Sequence, residues 1–398
     1  MAASQVALSS QPDLLTRMEE ARAGTDAIFD LLPPNSYYER PIPERHRLIF
    51  YLGHLEAFDW NLLSGPLGLA TDEAAFDKLF AFGIDPVGGG LPKDVPQDWP
   101  TIARVEQYNR SIRQRLDDAL RKPASEAAPR ELTDGTLLHV AIEHRLMHAE
   151  TLAYLLHNLP VEKKNVPMRP QADARPAPAA RHVKIPEGIA TLGMSGAQPH
   201  PFGWDNEFGE QQIRVPGFSI GAFPVTNGEY LKFVQAGGYG DASHWKPEDW
   251  EWKQRAGITH PHFWLMKAGA RADDPNATWH YRAMFGEIPL PLAWPVYVSY
   301  AEASAFAKWA GKKLPAEAQW HRAAYGTPEG NERSYPWGDS APEPKHGNFH
   351  FQNWDATAVD AHPEGQSAFG VFDLLGNGWE WTSTPFGPLP GFEPFSFY

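Results

Sequence analysis

Two histidines one helical turn apart stand where apolar side chains are expected. The stretch 137–159 reads LLHVAIEHRLMHAETLAYLLHNL. At 100° per residue, Leu137, Val140, Ala141, His144, His148, Thr151, Leu152 and Leu155 share one stripe about 120° wide. That stripe is the apolar one, and two imidazoles interrupt it. A preceding helix repeats the pattern: Phe50, Tyr51, His54, Phe58 and Leu62 form its apolar face, with His54 at the centre. An imidazole inside a core carries a polar nitrogen that needs a partner. A carbonyl or carboxylate satisfies a lone histidine, whereas a transition metal satisfies three at once, and His at i, i+4 is a normal chelating pair. Glu143 and Glu150 fall about 100–120° away from the stripe and do not chelate beside it. The segment HRLMH lacks the glutamate of the zinc-protease HExxH pattern, and paired Glu-x-x-His segments of the di-iron kind are missing. Three neutral imidazoles without carboxylate or thiolate leave open positions on a metal. That suits a catalytic site for Zn or Fe(II) better than a closed structural one.

Four helices suffice to position these residues. The first runs from Leu14 to Leu32 and stops at Pro33-Pro34. The second covers residues 44–63, between Pro43 and Gly65-Pro66. Thr101 is the N-cap of a third that reaches about Leu120, and Thr133 or Asp134 opens the fourth, which ends near Asn158 before Pro160. Such a set packs as an antiparallel four-helix bundle, residues 1–168. Its longest connector, 83–100, contains Gly88-Gly89-Gly90 and four prolines. Residues 169–182, rich in Pro and Ala, are expected to form an extended, semi-rigid linker. From 183 to 398 the texture changes to Gly, Pro, Trp and Asn. Short strands are expected at 182–185, 191–194, 212–215 and 218–220, and helices at 227–236, 300–310 and 316–325. There is neither βαβ alternation nor a Gly-rich phosphate loop, so the second half is an α+β domain with much irregular structure.

Composition narrows the chemistry. The 398 residues carry 49 acidic against 35 basic side chains, a net charge of −14. Such a surface repels nucleic-acid backbones and anionic lipid, so neither is an expected partner. No run reaches the length of ~18 apolar residues a transmembrane helix needs, and the N-terminus has no basic, signal-like region. A cytoplasmic enzyme is the expectation. Cysteine is absent, which excludes disulfides, thiolate zinc sites, iron–sulfur clusters and a cysteine nucleophile. Fifteen tryptophans point to an aromatic pocket or an aromatic-laced core.

The placement of His54, the H-x-x-x-H-x-E of 144–150, and the stretches PVTNGEYLKFV, VSYAEASAFAKWAGKKLPAEAQWHRAA, YPWGD and GVFDLLGNGWEWTSTPF together resemble the ergothioneine-type sulfoxide synthases. In that family a DinB-like bundle precedes an irregular, C-type-lectin-like domain of the formylglycine-generating-enzyme type. The resemblance implies an Fe(II) site made by His54, His144 and His148. It also implies a reaction that couples O₂ reduction to a C–S bond at C2 of the hercynine imidazole, with oxidation of the sulfur. The quaternary ammonium of hercynine needs an aromatic wall, for which Trp379, Trp381 and Phe386 are candidates. A tyrosine near the iron generally supplies a proton or electron, and Tyr51 and Tyr398 are candidates. Formylglycine generation itself needs cysteines and is excluded.

The chain departs from that family at three places. Arginines that clamp a γ-glutamylcysteine donor are replaced, in GIDPVGGGLPKDVPQDWP, by Lys93 alone, and an ammonium does not replace a bidentate fork. Met147 stands where a Gln often reaches the substrate imidazole. The family usually continues beyond PGFEPFSFY, so the second domain is expected to be truncated. The first two departures suggest the related selenoneine synthases, which take selenium from a selenosugar and form a C–Se bond. Two other classes remain open: a zinc-dependent DinB-like thiol transferase or hydrolase, and a truncated protein that binds without turnover.

Overall fold

A computed structural model of the chain describes residues 11–83, 90–123, 125, 127–196, 201–266 and 271–397. Two compact units emerge, Met1–Met168 with Pro394–Tyr398, and Arg169–Glu393. The first is helical: α1 (Gln11–Phe29), α2 (Leu48–Leu63), α3 (Ala74–Phe82), α4 (Ile102–Leu120), α5 (Arg130–Thr133) and α6 (Thr136–Asn158). Helix α1 packs along α6, and α2 packs against α3, α4 and α6. The four long helices answer to the four apolar periods, while α3 and α5 had no counterpart in the sequence reading. As the sequence requires, the Thr101 hydroxyl accepts from the Arg104 amide and caps α4. The Asp134 carboxylate accepts from the Thr136 amide at 3.0 Å and closes the start of α6. Gly135, the residue between them, adopts φ 86°, a left-handed conformation that glycine takes without strain.

The core of this unit is formed by Leu48, Ile49, Trp60, Phe80, Tyr108, Leu116, Val140 and Leu152, all essentially inaccessible. Each such aliphatic or aromatic side chain contributes roughly 1.5–3 kcal/mol on burial. The approach of α3 to α2 depends on Gly53, where a Cβ would lie 2.4 Å from the Phe80 ring. Only the absence of a side chain lets the two helices meet this closely.

The second unit contains three small antiparallel sheets. Strand β1 (His182–Ile185) pairs with β4 (Phe218–Gly221), β2 (Gly188–Leu192) with β3 (Gln211–Val215), and β6 (Trp279–Ala283) lies between β5 (Trp264–Met266) and β7 (Gly286–Pro289). Register places His182 opposite Gly221 and Gly188 opposite Val215. Helices α7 (Asn227–Gln235), α8 (Pro247–Ala256), α9 (Tyr300–Trp309) and α10 (Glu317–Tyr325) complete it. Capping boxes, Thr226 with Glu229 and Ser299 with Glu302, start α7 and α9. The strand expected at 191–194 lies at Gly188–Leu192 instead, and α8 and the three-stranded sheet were not expected. Much of the tryptophan content is explained here, because Trp245, Trp264, Trp279 and Trp294 belong to one buried cluster with Tyr230, Phe233 and Tyr281.

Residues 169–181 are extended, but they are no free linker. The Asp173 carboxylate accepts from Trp294 Nε1 at 3.0 Å, Pro170 rests on Gly286, and Ala177 rests on Gly228. The segment is thus laid along the second unit. No helix among the described residues is long and apolar enough to cross a membrane.

Candidate metal centre

The helix stripes converge. His54 of α2 and His144 and His148 of α6 each present a ring nitrogen, and these atoms all lie within 4.8 Å of one another. His54 Nε2 and His148 Nε2 are 3.1 Å apart. The Phe80 carbonyl accepts from His54 Nδ1 at 2.7 Å, which fixes the tautomer and leaves the Nε2 lone pair facing the other rings. Aromatic neighbours hold the ring planes: Phe58 stacks on His144 with centroids 3.4 Å apart, and Phe50 stacks on His54 at 4.7 Å. The glutamates set aside by the helical wheel stay outside, Glu143 pairing with Arg17 at 3.4 Å and Glu150 exposed.

Burial keeps all three imidazoles neutral. It pulls His54 down to about 4, against the opposing Phe80 hydrogen bond, and His148 down to about 3 with the His54 charge adding to the effect. His144 is lowered well below its ordinary value, again first by burial and then by its two histidine neighbours. Neutral imidazoles keep the lone pairs that a metal takes.

The donor set fits a metal ion. Two metal–nitrogen bonds of about 2.1 Å meeting near a right angle separate their nitrogens by about 3.0 Å, close to the observed His54–His148 spacing. Among the described residues no second group of three or more His, Asp or Glu gathers in this way.

The other expected site residues are distributed unevenly. Tyr51 is buried beside the triad, its ring 5.7 Å from that of His148. Met147, on α6 next to His148, is 46% exposed, and Lys93 is exposed. Tyr398 lies outside the described residues. Trp379, Trp381 and Phe386 belong to the second unit and are 83%, 49% and 94% exposed. Trp379 and Trp381 line a cavity of about 710 Å³ in that unit, together with Tyr297, Trp320, Asp373 and Glu380. Trp381 is anchored: its Nε1 donates to the Val298 carbonyl at 3.0 Å and its ring meets Tyr300 edge-on. Between these tryptophans and the core, Asn377 adopts φ 56° and is held on both sides by Thr357.

Several residues of the centre escaped the sequence reading. The Phe80 carbonyl is a backbone group on a helix that was not anticipated. Arg145, buried between the two α6 histidines in sequence, binds Glu56 and Asp59 of α2. Two acids inside the apolar LGHLEAFDWNLL were the available signal. Arg45 stands 5.7 Å over the Tyr154 ring, and its charge contributes to the depression at His148.

Comparison with known proteins places this geometry. Residues 17–152 match the DinB superfamily and residues 168–396 the Sulfatase-modifying factor enzyme 1-like domain, so the chain joins a helical bundle of the first kind to a domain of the second. It is 36% identical to "Hercynine oxygenase" of Mycobacterium tuberculosis over 74% of this chain and 66% of that protein. To "Hercynine oxygenase" of Mycolicibacterium thermoresistibile it is 34% identical over 98% of this chain and 84% of that protein. "Ergothioneine biosynthesis protein 1" of Neurospora crassa is 27% identical over 92% of this chain, which spans half of that protein's length. The chain belongs to the hercynine oxygenase family.

Proposed function

We propose that this chain is a non-heme Fe(II), O₂-dependent enzyme that joins sulfur, or selenium, to the imidazole of hercynine. The observation that carries the reading is the convergence of three neutral imidazoles, His144 buried and His54 and His148 half-buried, from α2 and α6 with no carboxylate among them, in a chain whose relatives are named for hercynine oxygenation. His54, His144 and His148 would hold the iron. When bound, iron supplies open coordination positions at which O₂ and a thiolate or selenolate are activated. The protein's part is to keep the three lone pairs unprotonated, to hold the ring planes with Phe50 and Phe58, and to exclude water by burial. Tyr51, its ring 5.7 Å from that of His148, would deliver a proton or an electron. Exposed indoles at 379 and 381 offer π faces to a quaternary ammonium.

The placement of cations supports one reading of the donor. Arg40 and Arg47 are both engaged by the buried Asp94 carboxylate, and Lys93 is a single ammonium. This favours a donor without a pair of carboxylates to clamp, such as a selenosugar. Among the described arginines of the helical unit, Arg45 is the one without an ion pair, and its guanidinium would be available to a carboxylate. Anaerobically iron-loaded protein should consume O₂ only when hercynine and a donor are both present. Turnover with γ-glutamylcysteine but not with a selenosugar overturns the selenium branch. Zinc retained without Fe(II)-dependent O₂ uptake favours the zinc transferase or hydrolase, and hercynine binding without turnover in iron-replete protein favours a binding protein.

A further inference from the structure

Within the bundle, one ion-pair cluster shares the triad's two helices. Arg145 has a side-chain exposure of 1%, and its partners Glu56 and Asp59 have 1% and 0%. Its Nη1 donates to Glu56 Oε1 at 3.0 Å and to Thr25 Oγ1 at 3.4 Å. Its Nη2 donates to Asp59 Oδ2 at 2.6 Å and to the Leu55 carbonyl at 3.1 Å. Leu55 follows His54 in the chain, and Arg145 follows His144. The grip and the ligand set are therefore interleaved on the same turns of α2 and α6.

We infer that Arg145 is the positioning residue of the metal centre: by grasping Leu55, Glu56 and Asp59 it fixes the rotation and sliding of α6 against α2, and so sets where His144 and His148 meet His54. This rests on the reading that the triad holds a metal. The physical reason is a difference in tolerance. Apolar side chains accommodate small shifts with little penalty, whereas a ligand set works only within about 0.5 Å. A planar guanidinium with a fixed fork of donors defines its partners' positions far more narrowly than leucines do. Buried ion pairs seldom outperform hydrophobic replacements in stability, and fixing register is their best-attested use.

The surroundings make the inference testable without stranding a charge. Arg113 also binds Asp26 through both terminal nitrogens, at 2.6 and 2.7 Å, and Arg22 also binds Asp117 at 2.7 Å. The triple variant Arg145→Met, Glu56→Leu, Asp59→Leu therefore leaves both neighbouring arginines paired. In the full chain, Co(II) serves as the probe, with affinity from titration and coordination from its d–d absorption. The expected result is a thermal midpoint of the metal-free variant at or above that of the unsubstituted protein, with Co(II) affinity at least about tenfold weaker and an altered d–d spectrum. Unchanged affinity and spectrum overturn the inference. Should the triple variant not fold, Arg145→Lys keeps the charge but loses the fork, and it must show the same spectral change; an unaltered spectrum overturns the inference there too. If the unsubstituted protein takes up no Co(II), it is the metal reading itself that fails.

Discussion

The two units bury ionisable groups of opposite kind and solve the same problem in opposite ways. In the helical unit, burial drives His54 and His148 down to about 4 and about 3, so the buried bases are neutral. In the second unit, burial drives Asp373 up to about 7 and desolvation drives the half-buried Glu380 up to about 8, so both acids are neutral at mildly acid pH. The bundle also contains buried acids: Asp77 is held by Tyr108 and Thr71, whereas arginines accompany Glu56, Asp59 and Asp94, and at Asp59 burial and the Glu56 charge still hold the carboxyl above its ordinary range. Burial pulls Glu56 upward, and Arg145 and Arg113 more than reverse it. Among the described residues no cation pairs with Asp373 or Glu380: Asp373 is held by Asn377 at 2.9 Å and Glu380 by Trp320 Nε1 at 2.5 Å. Desolvation is common to both units, and what differs is whether a charge of the other sign is built beside the group. Lone pairs kept free in the bundle are of use to a metal. Neutral carboxyls in the second unit can donate hydrogen bonds but cannot hold an anion.

The largest expected effect sharpens this contrast. His144→Ala removes the ring stacked on Phe58 and one of the three proposed ligands, so metal affinity should fall by more than about 100-fold, beyond what losing a supporting contact costs. Metal analysis and O₂ uptake check it, and a variant that retains stoichiometric metal would leave the bundle's neutral bases without a purpose. Next in size is Gly53→Ala. Its Cβ would lie 2.4 Å from the Phe80 ring, so α3 must retreat, at about 1–3 kcal/mol, taking the carbonyl away from His54 Nδ1. A lowered urea midpoint together with about tenfold weaker metal binding is the expected outcome.

How much of this was legible beforehand depends on whether the information lay within one element. The 3.6-residue period of α1, α2, α4 and α6 is local, and so is the intrusion of His54, His144 and His148 into apolar stripes. Both could be read directly. The Arg145 grip could not, because an arginine beside His144 looks like a solvated side chain until α2 supplies Glu56 and Asp59 across the bundle. The Phe80 carbonyl left no side-chain signal at all. Strands β5–β7 were hidden for another reason: in WHYRA every residue but the last is large or polar, and alternation shows only once Trp279, Tyr281 and Ala283 are seen to be the buried ones. Residues 169–181 carry the composition of a linker, and it is contacts with distant residues, Trp294, Gly286 and Gly228, that reveal that they are tied down.

Opposite titration gives the third prediction. For His54 and His148 the folded values lie below the ordinary 6.5. The unfolded chain thus takes up protons first, and the metal-free bundle loses stability as pH falls from about 6.5 towards 4. For Asp373 and Glu380 the folded values lie above the ordinary ones, so their contribution is full below about 4 and is lost as pH rises through about 7 and 8. Hydrogen exchange on chelator-treated protein, corrected for the intrinsic pH dependence of exchange, should show α6 best protected at the upper end of pH 5–8.5. Residues 371–381 should be best protected at the lower end. Both regions moving in the same direction would break the comparison.

The smallest effects concern the exposed aromatics, where the second unit contrasts with itself. Trp381 is fastened by its Nε1 bond to Val298 and by the edge of Tyr300, so Trp381→Ala should cost about 1–2 kcal/mol of stability. Trp379 and Phe386 are far more exposed, and alanine at either should change stability by no more than about 0.5 kcal/mol. Binding separates them further. An exposed cation–π contact contributes about 0.5–1 kcal/mol, which is about a two- to fivefold change in affinity. If Trp379 faces the quaternary ammonium, Trp379→Ala should weaken hercynine binding by that factor while leaving binding of histidine, which lacks the ammonium methyls, unaltered. Trp379→Phe, which keeps a π face, should recover part of the loss. Equal weakening for hercynine and histidine would mean that the indole contributes shape alone, and no change for either would remove it from the site.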